Sequence, residues 1–409
     1  MKYSIIGLGI AGVKAASTIR SLDKEADIDI FTNEPSYYYP RPKLFKVIYQ
    51  RMKSRDIYFY GPDWYIEKNL NLHLGTGIKK INFKEHTLLT EDGGTAHYDK
   101  LLIANGAHSF VPPIPGHEKR GVFTLRNMRD ALNIRQYSSI IGNYSPVAVI
   151  GGGVLGLEMA HSFMSNKLKV TVIEYGPYLL PRQLDREGAD ILRGIFENWG
   201  IRVRTDAKTE SIEGGESVEN VLLANGEKIP AKMVILSTGV RPNVDLLDRS
   251  GLPYNRGALV DDYLKLKDTE DIYAAGDIAE HNGRVYGIIP PAIEQAVAAA
   301  KNMVKEGSAV YKGSTPINTL KIAGLDLTSV GEVNPKDEEQ YTIIRAKAPL
   351  EGKYRKIVLQ NGKALGAIVL GIKGESIAAT KIVNQKMDII KFQEELKDIN
   401  FSLKEVLKG

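Results

Sequence analysis

Apolar residues in this chain cluster in short unbroken runs separated by glycine turns, and the runs recur in a fixed order. Residues 3–6 are one such run. It passes through Gly7-Leu8-Gly9-Ile10-Ala11-Gly12 into residues 13–20, whose apolar spacing predicts a helix, and Ile28–Thr32 then predicts a second strand. Runs without polar alternation suit strands covered on both faces, as in a parallel sheet. The same order returns at residues 147–150, Gly151-Gly152-Gly153-Val154-Leu155-Gly156, a helix over 157–164 and a strand over 170–173. Segments 87–92 and 221–224 read as further apolar strands, each followed by a glycine turn and a return strand.

The repetition extends over most of the chain. Gly7 and Gly151 lie 144 residues apart, and the small-residue corners Ala104-Asn105-Gly106 and Ser237-Thr238-Gly239 place Gly106 and Gly239 133 apart. An internal duplication explains both offsets. Each half carries a G-x-G-x-x-G between a strand and a helix, followed by an acid, Glu34 or Glu174, after 18–22 residues. The glycines let a pyrophosphate approach the backbone N–H groups at a helix N-terminus, and the acid suits a ribose diol. One such fingerprint is a weak signal; two in this context imply two dinucleotide sites.

Proline-rich joins at 110–116 and 240–243 mark exits from the two halves, and Ile272–Ala275 forms a short apolar strand running into Gly276-Asp277. The tail shows strands at 354–359 and 367–370 around a Gln360-Asn361-Gly362 turn, and helical patterning over roughly 374–389. The expected organisation is residues 1–113 and 241–316 as one nucleotide-binding domain in two parts, 114–240 as the second, and 317–409 as a smaller α/β domain.

Composition narrows the chemistry. There is no cysteine among the 409 residues, which removes disulfides, thiolate metal sites, cysteine-held iron–sulfur clusters and cysteine nucleophiles. Glycine stands at 39, above average, without a collagen period. Lys+Arg 54 against Asp+Glu 49 gives +5 with no basic block, so neither nucleic acid nor a membrane surface is expected as a partner. The apolar stretch at the N-terminus is short and no long apolar run follows, so a cytoplasmic protein is expected.

These motifs in this order, from the first G-x-G-x-x-G to Ala275-Gly276-Asp277, resemble the FAD- and NAD(P)H-dependent pyridine nucleotide oxidoreductases over essentially the whole chain. Tyr39-Pro40-Arg41-Pro42-Lys43-Leu44-Phe45-Lys46 is similar to the Y-x-R-P-x-L-S-K segment of the rubredoxin, ferredoxin and nitrite reductase flavoproteins, with Phe45 in place of serine. Residues 319–331 resemble the start of the C-terminal domain in the same branch. The resemblance implies two Rossmann-like FAD/NAD(P)-binding domains in the glutathione-reductase-like arrangement, plus the small C-terminal domain. It assigns Gly7, Gly9, Gly12, Glu34, Ala104, Gly106, Gly276 and Asp277 to FAD, with Arg41, Lys46 and Arg126 beside it. It assigns Gly151, Gly153, Gly156, Glu174 and Gly239 to NAD(H), and sets Glu158 against the nicotinamide carboxamide, so Lys46 and Glu158 are the candidate catalytic side chains. The helix opening at Ile289-Pro290-Pro291 resembles the family's helix aimed at the flavin pyrimidine.

Blander roles stay open for some of these residues. Lys46 can be a solvated lysine in a turn, Glu158 a first-turn acid complementing the helix dipole, and the 289–300 helix a packing element. At Glu174 a carboxylate repels a 2′-phosphate and no arginine is adjacent, although Arg182 follows eight residues on, so NADH is expected over NADPH. The resulting expectation is a flavoprotein oxidoreductase that takes hydride from NADH to FAD and passes electrons to an external acceptor such as rubredoxin or ferredoxin, with no protein thiol. The alternatives are an NADH oxidase reducing O2 at the flavin, and an NADH-sensing flavoprotein or electron-transfer subunit of a larger complex. A homo-oligomer is compatible with the sequence.

Overall fold

The computed structural model describes residues 1–49, 52–314, 317–322 and 324–408, the side chains of 317–322 excepted. Residue 316, the expected end of the first nucleotide-binding domain, and Ala323, within the 319–331 resemblance segment, lie outside the described residues. The chain forms two compact units: Met1–Leu44, Met52–Ser109 and Val240–Ser314 make the first, and Phe45–Arg51, Phe110–Gly239 and Thr315–Gly409 the second.

The first unit is built on a five-stranded parallel sheet in the order Ile272–Ala274, Lys100–Ile103, Lys2–Ile6, Asp27–Thr32, Asn71–Leu74. The three strands Lys2–Ile6, Lys100–Ile103 and Ile272–Ala274 read as largely apolar runs because both faces are covered. Ile5, Ile28, Ile30 and Leu102 join one core with helices Ile10–Leu22 and Ile289–Val304. Ile6, Phe31, Leu101 and Ile103 point the other way, into a core shared with the small antiparallel sheet Ile78–Asn82, Thr87–Thr90, Thr95–His97. The two helices meet through Ala15, Ala16, Ala296, Ala299 and Ala300, which lack the bulk to hold the backbones apart.

In the second unit the same architecture recurs. The parallel order is Arg202–Arg204, Lys169–Ile173, Pro146–Ile150, Met233–Leu236, Val122–Phe123, with a second small antiparallel sheet of Thr209–Glu213, Asn220–Leu223 and Lys228–Pro230. The slots correspond one to one with those of the first unit. The edge slot differs in its source: Val122–Phe123 enters from before its fingerprint, whereas Ile272–Ala274 enters long after its own.

Two details depart from the sequence reading. Residues 240–243, expected as a join, contribute strand Val240–Pro242, which pairs antiparallel with Ala107–Ser109. The two passages of chain return side by side, so each supplies the other's ladder partner. In the tail, the helix spans Ser376–Asn384 and not 374–389. It packs on a five-stranded antiparallel sheet that includes Leu325–Gly331 and Lys363–Leu370. No helix of the described residues is long and apolar enough to cross a membrane.

Candidate functional site

Both fingerprints fold the same way to within a tenth of an ångström in their backbone bonds. Gly7 N–H donates to Phe31 O at 2.8 Å, and Gly151 N–H to Ile173 O at 2.8 Å. Their φ angles are +113° and +115°, a conformation that favours glycine. A Cβ on Gly7 would lie 2.2 Å from Ala104 O, and one on Gly151 2.2 Å from Ser237 O. The third glycines close the helix onto the turn: a Cβ on Gly12 would lie 1.9 Å from Gly7 O, and one on Gly156 2.1 Å from Gly151 O.

The middle glycines behave in the opposite way. A Cβ on Gly9 or Gly153 meets nothing within 4 Å, although each residue caps a helix in ordinary extended conformation. The space in front of each helix N-terminus is therefore open, and a methyl group would fill it. Among the five described helices of twelve or more residues, Met128–Ile141 and Arg186–Asn198 are capped by side chains, Asn127 and Asp185. Ile10–Leu22, Val154–Ser165 and Ile289–Val304 have no side-chain cap and no acid in the first turn. The N–H groups and positive dipole ends of the first two fit an anionic group, as two dinucleotide pyrophosphates require, whereas in the third Pro290 and Pro291 carry no N–H and the dipole end alone remains.

Acids flank both cradles. Glu34 Oε1 accepts Arg41 Nη2 at 2.6 Å, and its other oxygen accepts the Tyr39 hydroxyl. Arg41 Nη1 also donates to Tyr39 Oη at 3.0 Å, and the guanidinium lies 5.2 Å from the centre of the Tyr39 ring. The Y-x-R-P segment thus fixes the carboxylate expected to meet a ribose, a role for Tyr39 that its place in the motif did not reveal. Glu174 is held by backbone N–H groups: Oε2 accepts Gly152 N–H at 2.5 Å and Oε1 accepts Gly176 N–H at 2.6 Å.

In the first unit, Ala104, Gly106 (φ +71°) and half-buried Asp277 complete the predicted set, with Gly276 at φ +85°. Gly276 N–H donates to Gln295 Oε1 at 2.9 Å, and Gln295 is fully buried on helix Ile289–Val304. Nothing in the sequence pattern singled out Gln295 beyond its being a polar residue in a run of alanines.

The second unit holds Lys46, Arg126, Glu158 and Gly239 (φ +97°) with the second cradle. Lys46 is half-buried in helix Leu44–Tyr49, not in a turn, and that helix is tied to helix Met128–Ile141 by Arg135 Nη1 to Val47 O at 3.5 Å. Arg126 and Asn127 both donate backbone N–H groups to Asp130, placing Arg126 just before the start of that helix. Glu158 is the fifth residue of a helix that begins at Val154, so it sits beyond the first turn and is half-buried. His161, three residues on and hence on the same helix face, is half-buried against the Trp199 ring, 5.1 Å away. Burial lowers its pKa. No cluster of described residues could hold a metal ion.

Two phosphate cradles, each with an open middle glycine and a fixed acid, define a protein of the double dinucleotide-binding class. Residues 1–307 match the pyridine nucleotide-disulphide oxidoreductase family, to which the chain belongs, and residues 316–387 match the rubredoxin NAD+ reductase C-terminal domain. The chain is 35% identical to a nitrite reductase [NAD(P)H] of Bacillus subtilis over 94% of its own length and 47% of that protein's, so it spans about half of that relative. It is 33% identical to an NADH oxidase of Methanocaldococcus jannaschii, covering 92% of this chain and 89% of that one. The solved NADH:rubredoxin oxidoreductase from Clostridium acetobutylicum superposes with a TM-score of 0.79 at 28% identity, covering 100% of this chain and 99% of that one.

Proposed function

We propose that the protein is an FAD-dependent NADH oxidoreductase that delivers electrons to a small redox protein such as rubredoxin or ferredoxin, in the cytoplasm, without a redox-active cysteine. The observation that carries this reading is the pair of open cradles in a chain with no cysteine. Two nucleotides can be held, and thiol–disulfide exchange by this chain is impossible. The rubredoxin-reductase-type C-terminal domain and the Clostridium acetobutylicum structure support the choice of acceptor.

In this reading Gly7, Gly9 and Gly12 receive the FAD pyrophosphate, Glu34 accepts ribose hydroxyls while held by Arg41 and Tyr39, and Asp277 faces the ribityl chain. Bound FAD would supply the conversion of a two-electron hydride donor into the single electrons a redox protein accepts. Gly151, Gly153 and Gly156 receive NADH, and Glu174 orients its ribose and disfavours a 2′-phosphate. Glu158 holds the carboxamide. The uncapped start of helix Ile289–Val304 presents a positive dipole end suited to negative charge on a neighbouring group. Ala104, Gly106 and Gly239 form the corners against which the fingerprint turns close, and Lys46 and Arg126 supply positive charge.

The Methanocaldococcus jannaschii relative favours a second reading, direct reduction of O2. The experiment that separates the two is anaerobic reduction of the purified holoprotein by NADH, followed by rapid mixing with rubredoxin, ferredoxin or O2. Carrier reduction much faster than reoxidation by O2 supports the proposal, and rapid reoxidation by O2 with no carrier reduction sinks it.

A further inference from the structure

Helix Arg186–Asn198 begins at Asp185, whose Oδ1 accepts the Gly188 N–H at 3.1 Å. Its Oδ2 accepts the Tyr354 hydroxyl at 2.7 Å and lies 3.2 Å from Lys356 Nζ. Tyr354 and Lys356 belong to strand Lys353–Gln360 of the C-terminal domain, and both are buried to within 1%. One residue earlier, Leu184 O accepts Asn334 Nδ2 at 2.9 Å. Two residues later, Glu187 pairs with Lys347 at 2.7 Å and Arg345 at 3.6 Å. The C-terminal domain therefore grips residues 184–187 at three points.

The gripped segment is the far end of the loop that leaves Glu174. Midway along it, Leu179 and Leu180 are fully buried. A Cβ on Gly152 would lie 2.6 Å from Leu179 Cδ2, so Leu179 fills the space beside that glycine. Leu180 N–H donates to Gly152 O at 3.1 Å, and Leu180 holds φ +53°, a conformation leucine adopts only when its surroundings impose it. Gly152 in turn donates to Glu174. Direct contacts thus run unbroken from the C-terminal domain through the loop to the second cradle and its acid.

Buried ion pairs such as Asp185–Lys356 add little net stability over apolar packing, and their best-attested use is to fix one arrangement among several. We propose that Tyr354 and Asn334 of the C-terminal domain are positioning residues for nucleotide recognition, acting through the 175–185 loop on Gly152 and Glu174. The inference rests on the reading that the second cradle takes NADH.

The test uses Tyr354→Phe and Asn334→Ala in the full-length holoprotein. Three quantities are measured: the Kd of ADP-ribose by calorimetry, KM and kcat for NADH and NADPH with ferricyanide as acceptor, and the thermal midpoint. Both variants are expected to raise the ADP-ribose Kd and the NADH KM by about 3- to 10-fold, the scale of one lost buried hydrogen bond, with kcat within about twofold of wild type. NADPH discrimination should narrow as the Glu174 loop loosens. A lower thermal midpoint with Kd, KM and NADPH discrimination all at wild-type values makes the clamp purely structural and overturns the inference. Wild-type protein that binds no ADP-ribose overturns the reading of the second cradle itself, and the inference with it.

Discussion

Alanine at Gly153 and alanine at Gly156 should fail in opposite ways. Gly153 is a helix N-cap at φ −79°, ψ 177°, a conformation alanine adopts freely, and its Cβ would meet nothing within 4 Å. Removing a glycine stiffens the unfolded chain by about 0.4–1 kcal/mol, and glycine's modest N-cap preference over alanine offsets part of this. Folding stability should stay within about 0.5 kcal/mol of wild type. The methyl group, however, stands where the proposed function brings a phosphate up to the N–H groups. Losing one charge-assisted hydrogen bond, or two weakened ones, costs roughly 1.5–3 kcal/mol, which corresponds to NADH binding about 10- to 100-fold weaker. At Gly156 the new Cβ falls 2.1 Å from the carbonyl oxygen of Gly151, a residue whose N–H is held by Ile173 O, so the helix must move off the turn. Overpacking of this kind costs about 1–3 kcal/mol, several degrees in thermal midpoint. Calorimetric titration with ADP-ribose and thermal melts followed by circular dichroism separate the two effects, with flavin absorbance monitoring the first cradle. Wild-type affinity in Gly153→Ala, or loss of FAD from it, would refute the reasoning.

Three further outcomes are expected. Asp277→Ala should purify with a several-fold lower flavin-to-protein absorbance ratio, while ADP-ribose binding at the second cradle is retained. Glu174→Ala removes a negative charge from the proposed ribose position and should raise the NADPH:NADH ratio of kcat/KM by about 10-fold, since like-charge repulsion of a phosphate is lost. His161 has a folded pKa below its ordinary value of 6.5 because it is buried. The unfolded chain therefore binds the proton more readily between the two values, and the stability from the neutral imidazole is present above about pH 6.5 and lost as pH falls through the lowered value. His161→Phe should flatten the decline of the thermal midpoint as the pH falls below about 6.5.

The duplication, both cradles and the strand into Gly276 were legible because each rests on local backbone demands that only certain residues meet. Gly7 and Gly151 need a positive φ, and Gly12 and Gly156 need the absence of a side chain. What stayed hidden depends on partners remote in sequence. Strand Val122–Phe123 is two residues long and exists because Met233–Leu236 offers it an edge. Glu158 read as a possible first-turn acid because the helix start was placed at Leu157; the cradle glycine itself is the cap, one turn earlier. Tyr39, Gln295 and Asp185 are ordinary polar residues until the fold brings Glu34, Gly276 and Tyr354 to them.

The edge strands also set an order of assembly. Every strand of the second parallel sheet lies between Val122 and Leu236, an almost uninterrupted stretch of chain, whereas the first sheet waits for Ile272–Ala274 and for the helix ending at Val304. During vectorial synthesis the second cradle can close while the first still exposes an unpaired strand edge and the alanine face of helix Ile10–Leu22. Of the two parallel sheets, the one that begins earlier in the chain is the later to be completed.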